Sequence, residues 1–185
     1  MIYHLSLQTV SWIAGVFLIL VSLPGILKPG LIQGWAKKFP RSRAAGIILL
    51  TVDLAWSLWL LATMEMGEFS SFRRPLLVLL PIGYFLTLRF VDEFLAVRAL
   101  GILCLFAAEP LLDAAFLRNE TSRLIVTVLA YLLVVAGLFW VTMPYLLRDQ
   151  INWGSRSNLR WRFMHGAALL YGLAVLALTV TQFKI

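Results

Sequence analysis

Long runs of apolar residues alternate with short polar segments along the whole chain. Six runs are long enough to cross a bilayer, since about 20 apolar residues span a hydrocarbon core of roughly 30 Å. The predicted spans cover residues 5–27, 44–64, 75–91, 94–117, 124–147 and 163–183. Because the runs are apolar on every side and do not alternate, they predict helices and not barrel strands. We expect an all-α, polytopic membrane helix bundle, with residues 1–185 forming a single domain.

The third run is the shortest, and Pro81 interrupts it. Its apolar part, residues 76–88, rises only about 20 Å as a helix. With six spans, 11 of the 16 Lys and Arg residues fall on one side, in and around the segments 28–43, 89–98 and 148–162. The positive-inside rule places that side in the cytoplasm. If the third run did not cross, the segment 148–162 would lie on the side opposite 28–43 and the charge bias would disappear. The charges therefore favour six spans with both termini outside.

Composition supports lipid as the main solvent. The 185 residues are 61% hydrophobic and 14% charged, whereas about 25% of residues are charged in a typical soluble domain. The net charge of +7 is explained by the cytoplasmic bias and by anionic lipid, so we expect no nucleic-acid partner. The single cysteine, Cys104, rules out an intrachain disulfide. We predict a multi-pass protein of a bacterial inner membrane.

A weak repeat of proline and glycine runs through the predicted spans. Three prolines near the cytoplasmic ends of the odd-numbered runs precede three glycines in the even-numbered runs: Pro24, Pro81 and Pro144, then Gly46, Gly101 and Gly166. The first and third sets are 120 residues apart. The pattern suggests three similar helical hairpins. Chance is the alternative, because both residues are frequent in membrane helices.

Three acidic residues break the apolar pattern. Asp53 falls near the middle of the second run, and Glu109 and Asp113 lie one helical turn apart in the fourth. A charged carboxylate at the centre of a bilayer costs roughly 2.5–3.5 kcal/mol even on insertion scales. The functional interpretation is a proton or cation site at which Asp53 and Glu109 converge. The structural alternative is a hydrogen-bond clamp, with these carboxyls bonded to Ser57, Tyr131 or backbone of another helix.

Aromatic and basic residues cluster in the cytoplasmic segments, as is typical of anchors at headgroup depth. The candidate contacts to anionic lipid headgroups are Trp35, Lys37, Lys38, Trp153, Arg160, Trp161, Arg162 and His165. The two histidines, His4 and His165, are predicted at opposite faces, which argues against haem ligation. Neither a metal site nor another cofactor is predicted, because no His, Asp and Glu cluster has ligand spacing.

Three functional hypotheses follow. The first is a non-catalytic accessory, assembly or scaffold subunit that packs against other membrane subunits or itself, with small residues such as Gly46 and Gly172 allowing close contact. The second is a small oligomeric transporter or channel that uses Asp53 and Glu109. The third is a lipid-handling enzyme at the cytoplasmic interface, with His165 acting beside Arg160 and Arg162. The sequence favours the first and leaves enzymatic activity open.

Overall fold

Helices make up nearly all of the described chain. The computed structural model describes residue 3 and residues 5–91 and 93–182. Two short 3₁₀ helices, Phe39–Arg41 and Gly67–Phe72, lie between α-helices. The α-helices are α1 (Leu7–Leu27), α2 (Pro29–Lys38), α3 (Arg43–Thr63), α4 (Arg73–Phe90), α5 (Leu95–Ala115), α6 (Ser122–Thr142), α7 (Tyr145–Gly154) and α8 (Asn158–Gln182).

Six of these helices, α1, α3, α4, α5, α6 and α8, are long and apolar enough to cross a membrane. The predicted all-α bundle of six spans is confirmed, and the protein is an integral multi-pass membrane protein. The third span is among them, since α4 continues as a helix through Pro81. The predicted sixth span ended at residue 183, which lies outside the described residues.

Two prolines create short helices that were predicted only as loops. Lys28, just before Pro29, and Met143, just before Pro144, adopt almost the same non-helical conformation (φ −129°, ψ 64° and φ −125°, ψ 69°). The ring of a proline disfavours the α conformation in the residue before it, so α1 and α6 end there. This corrects the predicted fifth span, which extended to residue 147. The chain restarts as α2 and α7, each of ten residues.

Glycines bring two helix pairs into close contact. α1 packs along α8, and α5 packs along α6. A β-carbon on Gly172 would lie 3.0 Å from the carbonyl oxygen of Gly15, and one on Gly137 would lie 2.7 Å from the carbonyl oxygen of Gly101. Small residues at such crossings let helix backbones approach in a membrane. Both pairs are therefore held by backbone contact that no larger side chain would allow.

The remaining helices are arranged around α5. α3 packs along α5, where Gly46 lies against the backbone of Ala96. α4 packs mainly along α3, and none of its residues is buried. Its apolar side chains, such as Phe85 and Phe90, are exposed and suit a lipid environment. α4 is thus the outermost helix, held mainly by one neighbour.

The ends of the spans define two faces. We call the end with α2, α7 and the turn 91–94 the basic face, and the other end the opposite face. The first and third connections on the basic face each contain a ten-residue helix, whereas the second is a short turn. Pro24 and Pro81 lie inside α1 and α4, but Pro144 lies between two helices. The three prolines are therefore not equivalent in position, and the hairpin repeat stays a prediction.

Candidate functional site

Asp53 lies at the junction of three helices. Its side chain comes from the middle of α3 and is only 3% exposed. It lines a cavity of about 270 Å³ between α3, α4 and α5. The other residues of the wall are mostly apolar, including Leu50, Leu79 and Ile102. A carboxyl group therefore lies inside the bundle, beside space large enough for several water molecules.

Neither carboxylate oxygen of Asp53 has a hydrogen-bond partner among the residues that the structure describes. The clamp predicted as the alternative does not form with the expected residues. The Ser57 hydroxyl donates to the Leu54 carbonyl at 2.9 Å, and Tyr131 is exposed on α6. Buried polar groups are nearly always paired, so the Asp53 carboxyl group is the candidate binding group of this cavity.

Hydroxyl groups extend the cavity toward the basic face. Tyr84 and Thr87, on the last two turns of α4, line the same cavity as Asp53. The Thr51 hydroxyl lies 2.9 Å from the Tyr84 hydroxyl. Thr51 precedes Asp53 on α3, nearer the basic end. We call these three hydroxyls, which lie on the basic-face side of Asp53, the polar strip; those of Thr51 and Thr87 donate to the carbonyl oxygens of Ile47 and Gly83 on their own helices.

Glu109 and Asp113 line a different cavity. This second cavity, of about 510 Å³, lies between α5 and α6 and includes Phe116 and Val134. The structure thus brings Glu109 and Asp113 together, as their spacing predicts. It does not bring Asp53 into the same cavity.

Tyr3 connects the Glu109 region to α3. Its hydroxyl donates to Glu109 Oε2 at 3.2 Å and accepts from the indole Nε1–H of Trp56 at 2.7 Å. The ring of Tyr3 also lies 5.5 Å from that of Trp59, centre to centre. Burial, with a smaller contribution from the Glu109 carboxylate, raises the pKa of the Tyr3 phenol. The hydroxyl therefore stays protonated and can donate to Glu109.

Of the predicted headgroup contacts, Trp161 and His165 turn into the bundle. Trp161 is only 4% exposed, although it was expected to lie among lipid headgroups. Its ring centre lies 4.7 Å from that of His165, whose Nδ1 is 3.0 Å from the Trp161 carbonyl oxygen. A β-carbon on Gly25 of α1 would overlap the His165 ring. The His165 ring therefore packs α8 against α1, while the Trp161 ring lies beside Gly154 of α7. Helix α8 begins at Asn158, five residues before the predicted span.

The other candidates lie on the surface of the basic face. Arg160 lies over the ring of Trp153, 5.3 Å from its centre, in a cation–π contact. Trp35 is 75% exposed, and Lys37, Lys38 and Arg162 are exposed as well. Arg160 and Arg162 flank the inward-facing Trp161 on opposite sides of α8. Neither arginine makes a described contact with His165.

Sequence reasoning missed Tyr3, Trp56, Tyr84 and Phe106. The sequence does not single them out, since neither spacing nor charge distinguishes them from ordinary apolar or interfacial residues. His4, used in the argument against haem, lies outside the described residues. Within the described chain, no three His, Cys, Asp or Glu residues are placed to hold a metal ion.

Comparison with models of known protein families, with curated proteins and with solved structures finds no match for this chain. The fold and the site define its class: an integral membrane protein of six helical spans with an acidic cavity between α3, α4 and α5. Its function must be argued from that cavity.

Proposed function

We propose that this protein is a small transporter or channel that binds a proton or a small cation at Asp53. The observation that carries the proposal is a buried carboxyl group without a partner on a cavity wall. Ionisable residues inside membranes are costly, and they commonly mark ion or proton pathways. The strip of Thr51, Tyr84 and Thr87 supplies hydroxyl oxygens that can carry water or a dehydrated cation between the basic face and Asp53.

The structure weakens one argument for the accessory-subunit hypothesis. Gly46 and Gly172, which were expected to contact partner helices, are used inside the chain against Ala96 and Gly15. Association with other membrane subunits or with a second copy stays a prediction, and co-purification in mild detergent tests it. The lipid-handling enzyme has no supporting observation, because His165 packs against α1 and makes no described contact with Arg160 or Arg162.

The first prediction concerns flux. We expect purified protein in liposomes to carry protons or monovalent cations above the level of protein-free vesicles. We expect Asp53→Asn to return the flux to that level, because the amide keeps the size of the side chain but cannot bind a proton or balance a cation. A pH-sensitive dye inside the vesicles, with Na⁺ or K⁺ gradients imposed in turn, measures the rate and separates the two ligands.

The matched control is Asp149→Asn on α7. Asp149 is exposed and paired with Arg148 at 2.9 Å on the basic face, so the same carboxyl-to-amide change should leave the flux unchanged. Wild-type protein that is folded but carries neither protons nor cations would refute the proposal. So would an Asp53→Asn variant that transports at the wild-type rate.

We also propose that the basic face contacts anionic lipid. Each Lys or Arg near a headgroup layer contributes about 1 kcal/mol of attraction. The double variant Lys37→Ala with Lys38→Ala should therefore retain less phosphatidylglycerol than wild type when bound lipids are quantified by native mass spectrometry. The double variant Arg74→Ala with Arg118→Ala, at the exposed opposite face, should retain as much as wild type. Equal losses from both faces would contradict a specific role for the basic face.

A further inference from the structure

Two aromatic rings separate the Asp53 cavity from the Tyr3–Glu109 region. Phe106 lines the Asp53 cavity, and its ring stacks on that of Trp56, with centres 5.7 Å apart and planes at 29°. α5 runs from the basic face to the opposite face, so Phe106 is one turn nearer the opposite face than Ile102, the cavity's other α5 residue. Phe106 therefore lies on the opposite-face side of the cavity wall, as does Ser57, one turn beyond Asp53 on α3.

The same pair is tied to the polar groups beyond it. Trp56 donates its indole N–H to Tyr3, and Tyr3 donates to Glu109. Glu109 lies one turn after Phe106 on α5. The Trp56 ring thus contacts the cavity wall on one side and is held by a hydrogen bond to the Tyr3 hydroxyl on the other. A change at Tyr3 or Glu109 can release it without touching Asp53.

We propose that Trp56 and Phe106 form a gate that closes Asp53 to the opposite face, with Tyr3 as the latch that holds Trp56 in place. This inference rests on the proposed function, because it assigns the route by which a proton or cation reaches Asp53. The polar strip places hydroxyl groups on the basic-face side of Asp53, whereas the one polar group of the stacked rings, the indole N–H of Trp56, is already bonded to Tyr3. Movement of the Tyr3 side chain would free the indole and open the Asp53 cavity toward the Tyr3 and Glu109 side chains.

The test uses thiol accessibility and not transport. Cys104 is the only cysteine of the chain, so a Cys104→Ser, Asp53→Cys protein carries one thiol at the cavity wall. Membrane-impermeant methanethiosulfonate reagents are applied from each side of oriented vesicles. We expect modification from the basic face. Adding Phe106→Ala should raise the rate from the opposite face about tenfold, because thiol reactivity follows access, and leave the basic-face rate unchanged.

Phe139→Ala is the matched control, since it removes a phenyl ring exposed on the membrane surface of α6. It should leave both rates unchanged. Tyr3→Phe keeps the ring contacts but removes the hydroxyl that Trp56 requires, and it should raise the opposite-face rate by a smaller factor than Phe106→Ala. This second variant removes a single oxygen atom outside the spans, so it keeps the test open if Phe106→Ala does not fold.

The outcomes separate the gate from the proposed function. Unchanged opposite-face labelling in both variants would overturn the gate, even if Asp53→Asn abolished flux. Equally fast labelling of the starting protein from both faces would also overturn it. Increased opposite-face labelling in a protein that carries neither protons nor cations would support the gate and refute transport.

Discussion

Replacing Asp53 with leucine should make the protein more stable. The carboxyl group is buried without a described partner, and an isolated polar group in an apolar interior is costly. Leucine removes that cost and contacts the apolar wall of the cavity formed by Leu50 and Ile102. An unpaired buried polar group costs about 1–3 kcal/mol in protein mutational data, so we expect Asp53→Leu to stabilise by about 2 kcal/mol. The apparent Tm in detergent, followed by circular dichroism, measures the change.

Glu109→Leu provides the contrast, because it removes a carboxyl group from α5 while breaking a hydrogen bond. The Tyr3 hydroxyl would lose its acceptor, and a half-buried donor without a partner costs roughly 1 kcal/mol. We expect the Tm to fall. A lower Tm for Asp53→Leu would show that Asp53 makes a stabilising interaction, and the stability argument for a functional carboxyl would then fail.

The second large effect is expected at the α5–α6 crossing. In Gly137→Ala the new β-carbon would lie 2.7 Å from the Gly101 carbonyl oxygen and 2.9 Å from Leu105. The backbone oxygen cannot move without separating the helices, so we expect a loss of about 2–3 kcal/mol. The measurement is again the Tm in detergent, together with elution as a single species in size-exclusion chromatography.

Gly166→Ala is the control for that substitution. Gly166 lies in α8, and a β-carbon there would meet nothing within 4 Å. Alanine is favoured over glycine by about 1 kcal/mol in a helix, so this variant should be as stable as wild type or slightly more so. If Gly137→Ala were equally harmless, α5 and α6 would not cross as closely as the structure indicates.

Much of the fold could be predicted from the chain because the bilayer imposes a simple rule. Backbone groups in lipid must be paired within the segment, so each long apolar run predicts one helix. The charge bias identified the third span despite Pro81. The ends of the helices were less predictable: the effect of Pro29 and Pro144 on the preceding residue was overlooked, and α2 and α7 were taken as loops. That signal was present in the sequence.

The site was only half predictable. Asp53 was identified because an acidic residue deep in a span is costly wherever the helix faces. Its expected convergence with Glu109 did not follow, since the two carboxyls project into cavities on different sides of α5. Trp161 was expected at the membrane surface, yet its ring lies against His165 inside the bundle. Residue type gave the depth of these side chains but not their direction.

The amino-acid sequence alone determined the number of spans, the all-α fold class and which residues are unfavourable to bury in a membrane. These are properties of one segment in its solvent, and neighbouring helices do not change them. Only the tertiary structure decided that α1 pairs with α8, that Asp53 faces α4, and that Tyr3 links Trp56 to Glu109. Those contacts join residues far apart in the chain, and they depend on how each helix is rotated in the bundle. Rotation is set by packing against several neighbours at once, which no single apolar run encodes.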